Sequence, residues 1–284
     1  MVASIRIYPV KSLAGLTVPE GEVEPWGLRN DRRWLVLSPD GGVLTARERP
    51  HMLSIRAIPL ARGAIKLTRR GSSTLSIEAP VDGEPLPTAL SRLESVRAAG
   101  READEWLSHQ LGDPVRLGWL DDPRRRTVSA AHGGQPGDLL SLADAGPLLL
   151  TTTASLRQLN DWVGEEAAER GEQPAAPMVM ERFRPNIVLE GVDAPFVEDT
   201  WSTLRIGNVE FRFAEHCDRC VLTTIDPETL AQSKEPLRTL ARHRKVGGKT
   251  YFGVRVVPLT TGQLRVGDAV TVSRAGKNGG ALSV

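Results

Sequence analysis

Short segments rich in β-branched residues, each bounded by turn-forming residues, constrain the fold of this chain more than any other feature of its sequence. Several alternate apolar with polar residues, as strands with one buried face do. Ser38-Pro39-Asp40-Gly41-Gly42 is a strong hairpin signal, because glycine readily adopts the positive φ angles that such turns require. A small β-barrel or meander is therefore predicted at the start of the chain, with strands at 4–8, 16–18, 34–37, 43–46, 54–58 and 65–68.

Helical patterns separate this first group of strands from a second one. Apolar residues recur at helical spacing over 101–111, and Gly112 follows as a stop signal. Thr153 is the predicted N-cap of a second helix through Glu169, and Pro236 begins a short helix over 235–243. Further strands are predicted at 148–150, 186–189, 203–206, 209–213, 254–257 and 269–272, so the predicted fold class is α+β and β-rich.

Length and charge restrict the classes of partner. The chain has 284 residues, enough for two domains or one large composite. Its 36 basic and 35 acidic residues nearly cancel, which argues against nucleic acid or an anionic membrane as the main partner. No apolar run approaches the ~18 residues of a membrane span, and the N-terminus lacks the apolar region of a signal peptide. With 2 cysteines, a reducing cytoplasm is the expected location.

Both cysteines lie two residues apart, at what the pattern indicates is the end of a strand. A thiolate is the reactive and metal-binding form of cysteine, and His216 and Arg219 could favour it at Cys217 or Cys220. A structural zinc site would need two further ligands, and the five histidines show no suitable spacing. A thioredoxin-type dithiol would need a strand-to-helix junction after the pair, whereas a β-prone segment and a turn follow. Both alternatives are therefore disfavoured.

Several sequence blocks resemble the MOSC family, the molybdenum-cofactor sulfurase C-terminal-like domain, together with its N-terminal β-barrel module. They occur in the family's order and cover nearly the whole chain, and the amidoxime-reducing members are nearest in layout. The blocks are Tyr8-Pro9-Val10-Lys11-Ser12, Asp31-Arg32-Arg33-Trp34, Arg182-Phe183-Arg184-Pro185-Asn186-Ile187-Val188, the run from Cys217 to Pro227, Ser233-Lys234-Glu235-Pro236-Leu237 and Tyr251-Phe252-Gly253.

The resemblance implies a MOSC β-barrel with flanking helices, preceded by an N-terminal β-barrel-like module. The corresponding domains are expected at residues 1–120 and 121–275, with a flexible tail at 276–284. It also implies that Cys220 binds molybdenum directly, with the adjacent Arg219 stabilising the thiolate, and it gives Cys217 no role. The expected contacts to the molybdenum cofactor are Lys11, Ser12, Arg32, Arg184, Asn186, Arg219 and Cys220.

Asp144 aligns with an acidic residue that lies near the metal in the family, and it could relay protons if its pKa is tuned toward neutrality. The chain departs from the family at the next two positions. Relatives carry small hydroxyl residues there, whereas this chain has Ala145 and Gly146. A side-chain hydroxyl contact to the cofactor is therefore expected to be lost.

The function implied by the resemblance is a two-electron reduction of small N-hydroxylated or N-oxide substrates. A ferredoxin-type iron–sulfur cluster needs four cysteines, so none is expected in this chain, and electrons must come from a separate ferredoxin, flavoprotein or cytochrome. The alternative is a non-catalytic carrier of molybdenum cofactor, or of sulfur as a persulfide on Cys220. The polar loop over 121–138, which contains Arg124-Arg125-Arg126, is either a solvated connection or the border of an anionic ligand site.

Overall fold

The computed structural model describes residues 1–173 and 176–274, and the chain divides into two compact units. Unit 1 comprises Met1–Arg6, Thr17–Pro25 and Gly146–Val284, and unit 2 comprises Ile7–Leu16 and Trp26–Ala145. The chain thus passes between units after residues 6, 16, 25 and 145. The expected flexible tail, 276–284, lies outside the described residues.

Most of the described chain forms short strands. They are β1 (Val2–Ile7), β2 (Leu16–Val18), β3 (Glu20–Glu24), β4 (Gly27–Leu28), β5 (Trp34–Leu37), β6 (Arg56–Pro59), β7 (Ile65–Thr68), β8 (Leu75–Ile77), β9 (Pro85–Pro87), β10 (Ser95–Ala98), β11 (Arg116–Trp119), β12 (Leu148–Thr152), β13 (Ile187–Leu189), β14 (Trp201–Ile206), β15 (Val209–Asp218), β16 (Lys245–Val246), β17 (Lys249–Pro258), β18 (Gly262–Arg265) and β19 (Val270–Arg274). The α-helices are α1 (Arg101–Leu111), α2 (Thr153–Glu169) and α3 (Leu237–His243). Short 3-10 helices occur at Pro50–Ser54, Ala61–Gly63, Pro123–Arg125, Ala130–His132, Met180–Phe183, Val197–Thr200 and Val221–Thr224.

Unit 1 is built on a large sheet in which most neighbouring strands are antiparallel. The strand order is β19-β14-β15-β17-β12-β13-β1-β2, with β16 paired to β17. The pairing of β12 with β13 is parallel, and Leu150 lies opposite Ile187. The strands β12 and β13 are buried along their whole lengths, as expected for the centre of a sheet covered on both faces. The first strand of the chain therefore closes against a strand from its C-terminal half, because Val2 pairs with Leu189.

Helix α2 packs its apolar face into a core cluster that includes Leu159, Phe183 and Phe252. The sequence prediction of its end at Glu169 is confirmed, but its N-cap is Thr152 rather than Thr153. Thr152 has extended backbone angles, and its hydroxyl oxygen accepts a hydrogen bond from the backbone N–H of Ser155 at 3.1 Å. An N-cap must lie outside the helical φ/ψ region, and Thr153 is already the first helical residue.

Unit 2 contains a sheet of order β5-β11-β10-β9 and a second one of order β6-β7-β8. Helix α1 lies against β11 and β8 and ends at Gly112, whose φ of +74° places it in the left-handed region, so the predicted stop signal is confirmed. Gly41 adopts a φ of +87° in the predicted turn after β5. The core of this unit is formed by leucines and valines, and it includes the fully buried Leu142.

Two predicted elements differ from the structure. Residues 43–46 form no strand, and Val43 makes an isolated bridge to Leu37 across the turn. Helix α3 begins at Leu237, because Pro236 is its N-cap residue rather than its first helical residue. The predicted class, α+β and β-rich, is confirmed. In the described ranges, none of the helices combines the length and the apolar character that crossing a bilayer would require.

Candidate functional site

Cys220 lies in unit 1, in the loop that follows β15. The backbone N–H of Arg219 donates to the carbonyl oxygen of Thr250 at 2.8 Å, which holds the end of β15 against β17. Cys220 then precedes the 3-10 helix Val221–Thr224, and its carbonyl oxygen accepts from the backbone N–H of Thr223 at 3.1 Å. The side chain of Cys220 is exposed. Its backbone is thus fixed on both sides while the thiol is open to solvent.

The environment of Cys217 differs from that of Cys220. Cys217 is 4% exposed, and its Sγ accepts a hydrogen bond from Arg219 Nη1 at 2.8 Å. Arg219 Nη2 donates to the carbonyl oxygen of Phe183 at 2.7 Å. The expectation that Arg219 stabilises the thiolate of Cys220 therefore differs from the structure, in which its guanidinium contacts Cys217. The two cysteines have separate surroundings, one hydrogen-bonded and buried, one exposed.

The same contact joins the Cys220 loop to the segment Met180–Phe183, which precedes β13. The ring of Phe183 stacks on Phe252 with a centroid distance of 4.0 Å, so the segment is fixed in the core. Arg184 follows with a φ of +55°, a left-handed conformation that is uncommon for a residue with a Cβ. Unit 1 thus brings the Arg-Phe-Arg-Pro-Asn block and the Cys-Asp-Arg-Cys block together, as the expected site requires.

Asn186 lies in that block but holds the sheet together. It is fully buried, and its Nδ2 donates to the carbonyl oxygen of Arg6 at 3.1 Å. Its Oδ1 accepts from the backbone N–H of Leu149 at 3.2 Å, so the side chain bridges β1 and β12. These two atoms of Asn186 thus bind backbone groups of neighbouring strands, and its contact to the cofactor stays a prediction. Asn186 directly precedes β13 and so fixes the end of the segment that contains Arg184.

Arg182 was not selected from the sequence, although it lies in the same block. Its Nη2 donates to Asp226 Oδ2 at 2.9 Å, which ties it to the turn after the Cys220 loop. Within the described residues, its Nε and Nη1 atoms are buried without a hydrogen-bond partner, and so is Arg219 Nε. Buried donors without acceptors are costly, so the guanidinium groups of Arg182 and Arg219 are candidate donors to an anionic ligand. The signal in the sequence was the first of the two arginines in the block.

Gly146 packs closely against Arg255. A Cβ at this position would lie 3.1 Å from Cβ of Arg255, on whose aliphatic stem Gly146 packs. Arg255 is 12% exposed and forms ion pairs with Glu215 and with Asp218, the latter at 2.9 Å. Burial by itself lowers the pKa of Arg255, but the carboxylates of Glu215 and Asp218 act against it, and the net pKa is raised. A permanently charged arginine therefore lies beside the buried thiol.

Lys11 and Asp144 form an ion pair in unit 2. Lys11 is 7% exposed, and its Nζ donates to Asp144 Oδ1 and to the carbonyl oxygen of Leu142, the latter at 3.0 Å. The Asp144 side chain is 65% exposed and so faces solvent. The structure therefore brings two of the sequence-selected residues into direct contact, although 133 positions separate them in the chain.

Arg32 and Ser12 lie in the same unit, and both adopt left-handed backbone angles, with φ of +49° and +68°. Arg32 Nη1 donates to Asp31 Oδ2, and its guanidinium lies over the ring of Tyr8 at 4.6 Å from the centroid. Asp31 is 1% exposed and also accepts from the backbone N–H of Tyr8 at 2.8 Å. A buried carboxylate thus fixes the direction of the Arg32 side chain.

The pKa values of the Lys11–Asp144 pair differ from the sequence-based expectation. Burial alone would raise the pKa of Asp144, but Lys11, Arg47 and Arg32 outweigh it and hold the pKa well below its usual value. Burial lowers the pKa of Lys11, and Arg126 and Arg32 act in the same direction, against the charge of Asp144. The cations around Asp144 thus move its pKa away from neutrality and favour the ionised carboxylate in this arrangement.

The three consecutive arginines of the polar loop separate in the structure. Arg124 is exposed, Arg125 pairs with Asp121, and Arg126 is fully buried. Its guanidinium donates to the carbonyl oxygens of Ser141 at 2.6 Å and Ala143 at 2.5 Å. One of the three thus enters the interior of unit 2 beside Lys11 and Asp144, whereas the other two lie at the surface.

The donor set in unit 1 fits a cofactor that combines an anionic group with a thiophilic metal. Cys220 offers an exposed sulfur ligand, and the buried guanidinium donors of Arg182 and Arg219 offer hydrogen bonds to an anion. Across residues 1–173 and 176–274, no three acidic, histidine or cysteine side chains cluster as a metal site of their own.

Two family models match this chain. The model of the MOSC N-terminal beta barrel domain matches residues 1–114, and the model of the MOSC domain matches residues 132–271. The second match includes Asp144, the Arg-Pro-Asn run and both cysteines, and the first includes Lys11, Ser12 and Arg32. All residues selected from the sequence therefore fall within the two matched regions.

Curated relatives extend over nearly the same length. Human mitochondrial amidoxime-reducing component 1 is 34% identical over 95% of this chain and 82% of its own. Human mitochondrial amidoxime reducing component 2 is also 34% identical, with the same shares of 95% and 82%. The molybdenum cofactor sulfurase of Danio rerio is 32% identical over 89% of this chain, which spans only 31% of that protein. The chain therefore belongs to the MOSC family, with a MOSC N-terminal beta barrel domain followed by a MOSC domain.

Proposed function

We propose that this chain is a molybdenum-cofactor-binding oxidoreductase that reduces N-hydroxylated or N-oxide compounds by two electrons. The names of its relatives connect the family with amidoxime reduction and with the molybdenum cofactor. The proposal for this chain rests on one observation, which is the exposed Cys220 thiol beside buried guanidinium donors that have no acceptor among the described residues. Such donors favour an anionic ligand at the position where a thiolate could bind a metal.

Each residue near Cys220 has a distinct role in this proposal. Cys220 provides the thiolate that binds the metal, and Arg182 and Arg219 donate hydrogen bonds to anionic groups of the cofactor. Arg219 is fixed by its bonds to Phe183 and Cys217, so its free Nε keeps one direction. Preorganised donors of this kind bind an anion without first having to reorganise.

The molybdenum cofactor, when bound, supplies the two-electron chemistry that accepts oxygen from the substrate. The protein supplies binding, orientation and control of protons. In unit 2, the low pKa of Asp144 leaves the proton of the ion pair on Lys11 Nζ. We therefore assign the role of holding a proton to Lys11 Nζ, and Asp144 fixes the position of that ammonium group. Electrons come from a separate donor protein of the ferredoxin, flavoprotein or cytochrome type.

The test is a comparison of Cys220→Ala with Cys217→Ser in protein expressed with molybdate. Molybdenum per chain is measured by elemental analysis, and benzamidoxime reduction is measured with an artificial electron donor. Cys220→Ala should lose most of the molybdenum and the activity. Cys217→Ser should retain both, because a hydroxyl can still accept the hydrogen bond from Arg219.

Survival of both molybdenum content and turnover in Cys220→Ala would show that the ligand assignment is wrong. The carrier alternative predicts a different pattern, in which the wild type holds the cofactor, or a persulfide seen as a mass increase at Cys220, without reducing benzamidoxime. The observation that favours this second candidate function is the similarity to a molybdenum cofactor sulfurase.

A further inference from the structure

Arg126 is a buried arginine whose hydrogen bonds go to backbone carbonyls rather than to a carboxylate. It is 0% exposed, and its Nη1 donates to Ser141 O at 2.6 Å and to Ala143 O at 2.5 Å. Its Nε donates to the carbonyl oxygen of Ser91 at 3.2 Å. Burial and the charge of Arg92 lower the pKa of Arg126 to about 10, so the guanidinium stays protonated at neutral pH. The charge of Asp144 acts on this guanidinium through space and raises its pKa, but the hydrogen bonds described for Arg126 all go to backbone carbonyls. Burying a charge in this way is costly, so the carbonyls that it holds must be placed accurately.

The carbonyls that Arg126 holds belong to the segment 141–144, which leads to Asp144. The carbonyl between them, that of Leu142, accepts from Lys11 Nζ at 3.0 Å. The backbone N–H of Leu142 donates to the carbonyl oxygen of Arg32 at 2.9 Å, and its side chain is fully buried in the core. Consecutive carbonyls of one segment are therefore held by two different cations, Arg126 for two of them and Lys11 for the one between.

This arrangement couples Arg126 to the Lys11–Asp144 ion pair without direct contact. We propose that Arg126 is a positioning residue, which fixes the segment 141–144 and thereby the placement of Lys11 Nζ and of the Asp144 carboxylate. The effect of Arg126 on catalysis rests on the proposed function, in which the Lys11–Asp144 pair holds a proton. The structural consequence, the placement of the pair, can be tested without turnover.

The first test measures the ionisation of Asp144 in the full chain, by carboxyl ¹³C NMR with the signal assigned from Asp144→Asn. In the wild type, the charged groups that act on Asp144 are Lys11, Arg32, Arg47 and Arg126, and the carboxylate should remain ionised at pH 4. In Arg126→Met the segment loses its donors, and Asp144 should titrate near its ordinary value of about 3.9, so that roughly half is protonated at pH 4. Arg126→Lys keeps the charge but cannot span the two carbonyls, so a shift of the Asp144 titration in that variant shows positioning rather than loss of a charge. Melting temperature and circular dichroism report whether the variant folds.

Arg124→Met is the matched control, since Arg124 lies two positions away, is exposed and pairs only with the surface residue Asp122. Its Asp144 signal should match that of the wild type. A folded Arg126→Met variant whose Asp144 is still fully ionised at pH 4 would overturn the inference. If Arg126→Met is insoluble, Arg126→Gln, which keeps one amide donor, replaces it, and an unchanged Asp144 titration there overturns the inference equally.

The second test measures kcat/KM for N-oxide or amidoxime reduction at equal molybdenum content. Misplacing a functional group by about 1 Å can cost about a hundredfold in rate, so Arg126→Met should lose about tenfold to a hundredfold. Arg126→Lys keeps the charge but cannot span two carbonyls, and it should recover part of the loss. If the wild type does not reduce these substrates, the proposed function fails, and the Asp144 titration still decides the role of Arg126.

Discussion

At the scale of single residues, the two cysteines show how little separation in sequence is needed for separate roles. The side chain of Cys217 is buried and hydrogen-bonded to the guanidinium of Arg219, whereas the side chain of Cys220 is exposed. In the sequence, both cysteines lie next to Arg219. Arg255 is too distant in the chain to be recognised as their neighbour. The reason is local: the side chains of a strand alternate between its faces, and the loop after β15 then redirects the next residues.

The exposure of the two thiols predicts their reactivity. In the native chain, a thiol reagent such as DTNB should react rapidly with Cys220 and slowly with Cys217, which is 4% exposed. The fast phase of the absorbance change should therefore correspond to about one thiol per chain, and after denaturation both of the 2 cysteines should react in that phase.

Cys220→Ser should remove the fast phase, and Cys217→Ser should leave it intact. A native chain in which both thiols react at the same rate would contradict the burial of Cys217. The measurement needs no cofactor and no substrate.

Sequence reasoning reached the identities of the site residues but not their contacts. The resemblance selected Lys11 and Asp144, yet only the fold shows that they pair and that cations lower the pKa of the carboxyl. Asn186 was selected as a cofactor contact, whereas two of its amide atoms bind backbone groups of β1 and β12. A sequence block gives residue types, but the partner of a polar side chain depends on strands that are distant in the chain.

At the scale of elements, a buried carboxyl group from the 3-10 helix Val197–Thr200 lies against the N-terminus of α2. Glu198 is 0% exposed and accepts from Ser155 Oγ at 2.7 Å, beside the capping residue Thr152. Burial raises the pKa of Glu198 to about 7, although these hydrogen bonds act against the shift. The folded protein thus favours the protonated form of a carboxyl whose value is ordinarily 4.5.

Stability should therefore fall as pH rises through this range. A folded-state pKa above the unfolded value gives a contribution that is complete below about 4.5 and lost as pH rises through about 7. The 2.5-unit difference, from 7 minus 4.5, corresponds to at most about 3 kcal/mol of unfolding free energy. Glu198→Gln should flatten the dependence between pH 5 and pH 8, as measured by urea unfolding.

If the unfolding free energy of Glu198→Gln depends on pH as steeply as that of the wild type, Glu198 is ionised in the folded state. Glu165→Gln is a suitable control, because Glu165 lies on the exposed face of the same helix. Its slope should not change.

Strand β17 depends on one glycine. Gly253 adopts a φ of +77°, and a Cβ there would lie 2.6 Å from Thr151 Cγ2 and 2.8 Å from the carbonyl oxygen of Leu150. Gly253→Ala combines left-handed strain with overlap against β12, and it should lower the unfolding free energy by roughly 2–5 kcal/mol. Thermal denaturation followed by circular dichroism measures the change.

Gly164→Ala is the control, since Gly164 is exposed in α2 and a Cβ would meet no atom within 4 Å. That substitution should stabilise the protein by roughly 0.5–1 kcal/mol, because alanine is the better helix former. A Gly253→Ala variant as stable as the wild type would refute the close approach of β17 to β12.

The prediction of elements from sequence succeeded where the local pattern was sufficient. Helix α1 begins and ends where its apolar spacing and Gly112 predicted, and the strand 65–68 matches β7. It failed at 43–46, where β-prone residues lie too close to the turn after β5 to pair beyond one bridge. Local propensity describes a single segment, whereas a strand requires a partner.

At the scale of the whole molecule, the order of the strands in the large sheet could not be read from the sequence. Strand β1 pairs with β13, and β3 pairs with β18, where Gly21 lies opposite Leu264. Both pairings join the first 25 residues to the C-terminal half. No periodicity in either segment identifies the other, because every buried strand offers the same alternation of hydrogen-bonding groups.

The C-terminal part of unit 1 should therefore be incomplete without the N-terminal strands. A fragment of residues 146–284 lacks β1 to β3 and leaves the buried residues of β13 at an open sheet edge. We expect this fragment to lack the near-ultraviolet circular dichroism of packed aromatic side chains or to aggregate. Joining residues 1–25 to it through a glycine-rich linker should restore part of the signal.

A fragment of residues 146–284 that is as soluble and as cooperatively folded as the linked form would contradict this prediction. The same linker carrying a scrambled version of residues 1–25 is the control for added length. It should not restore the signal.

The four passages of the chain between its units also have a consequence for biosynthesis. Strand β1 leaves the ribosome before its partner β13, which is made more than 180 residues later. Unit 2 ends at Ala145 and can form first, while β1 and β3 wait unpaired. Nascent chains arrested before residue 187 should thus carry two strands without their partners. Such strands are prone to aggregate, so we expect the yield of folded protein in the cell to depend on the rate of translation and on chaperones.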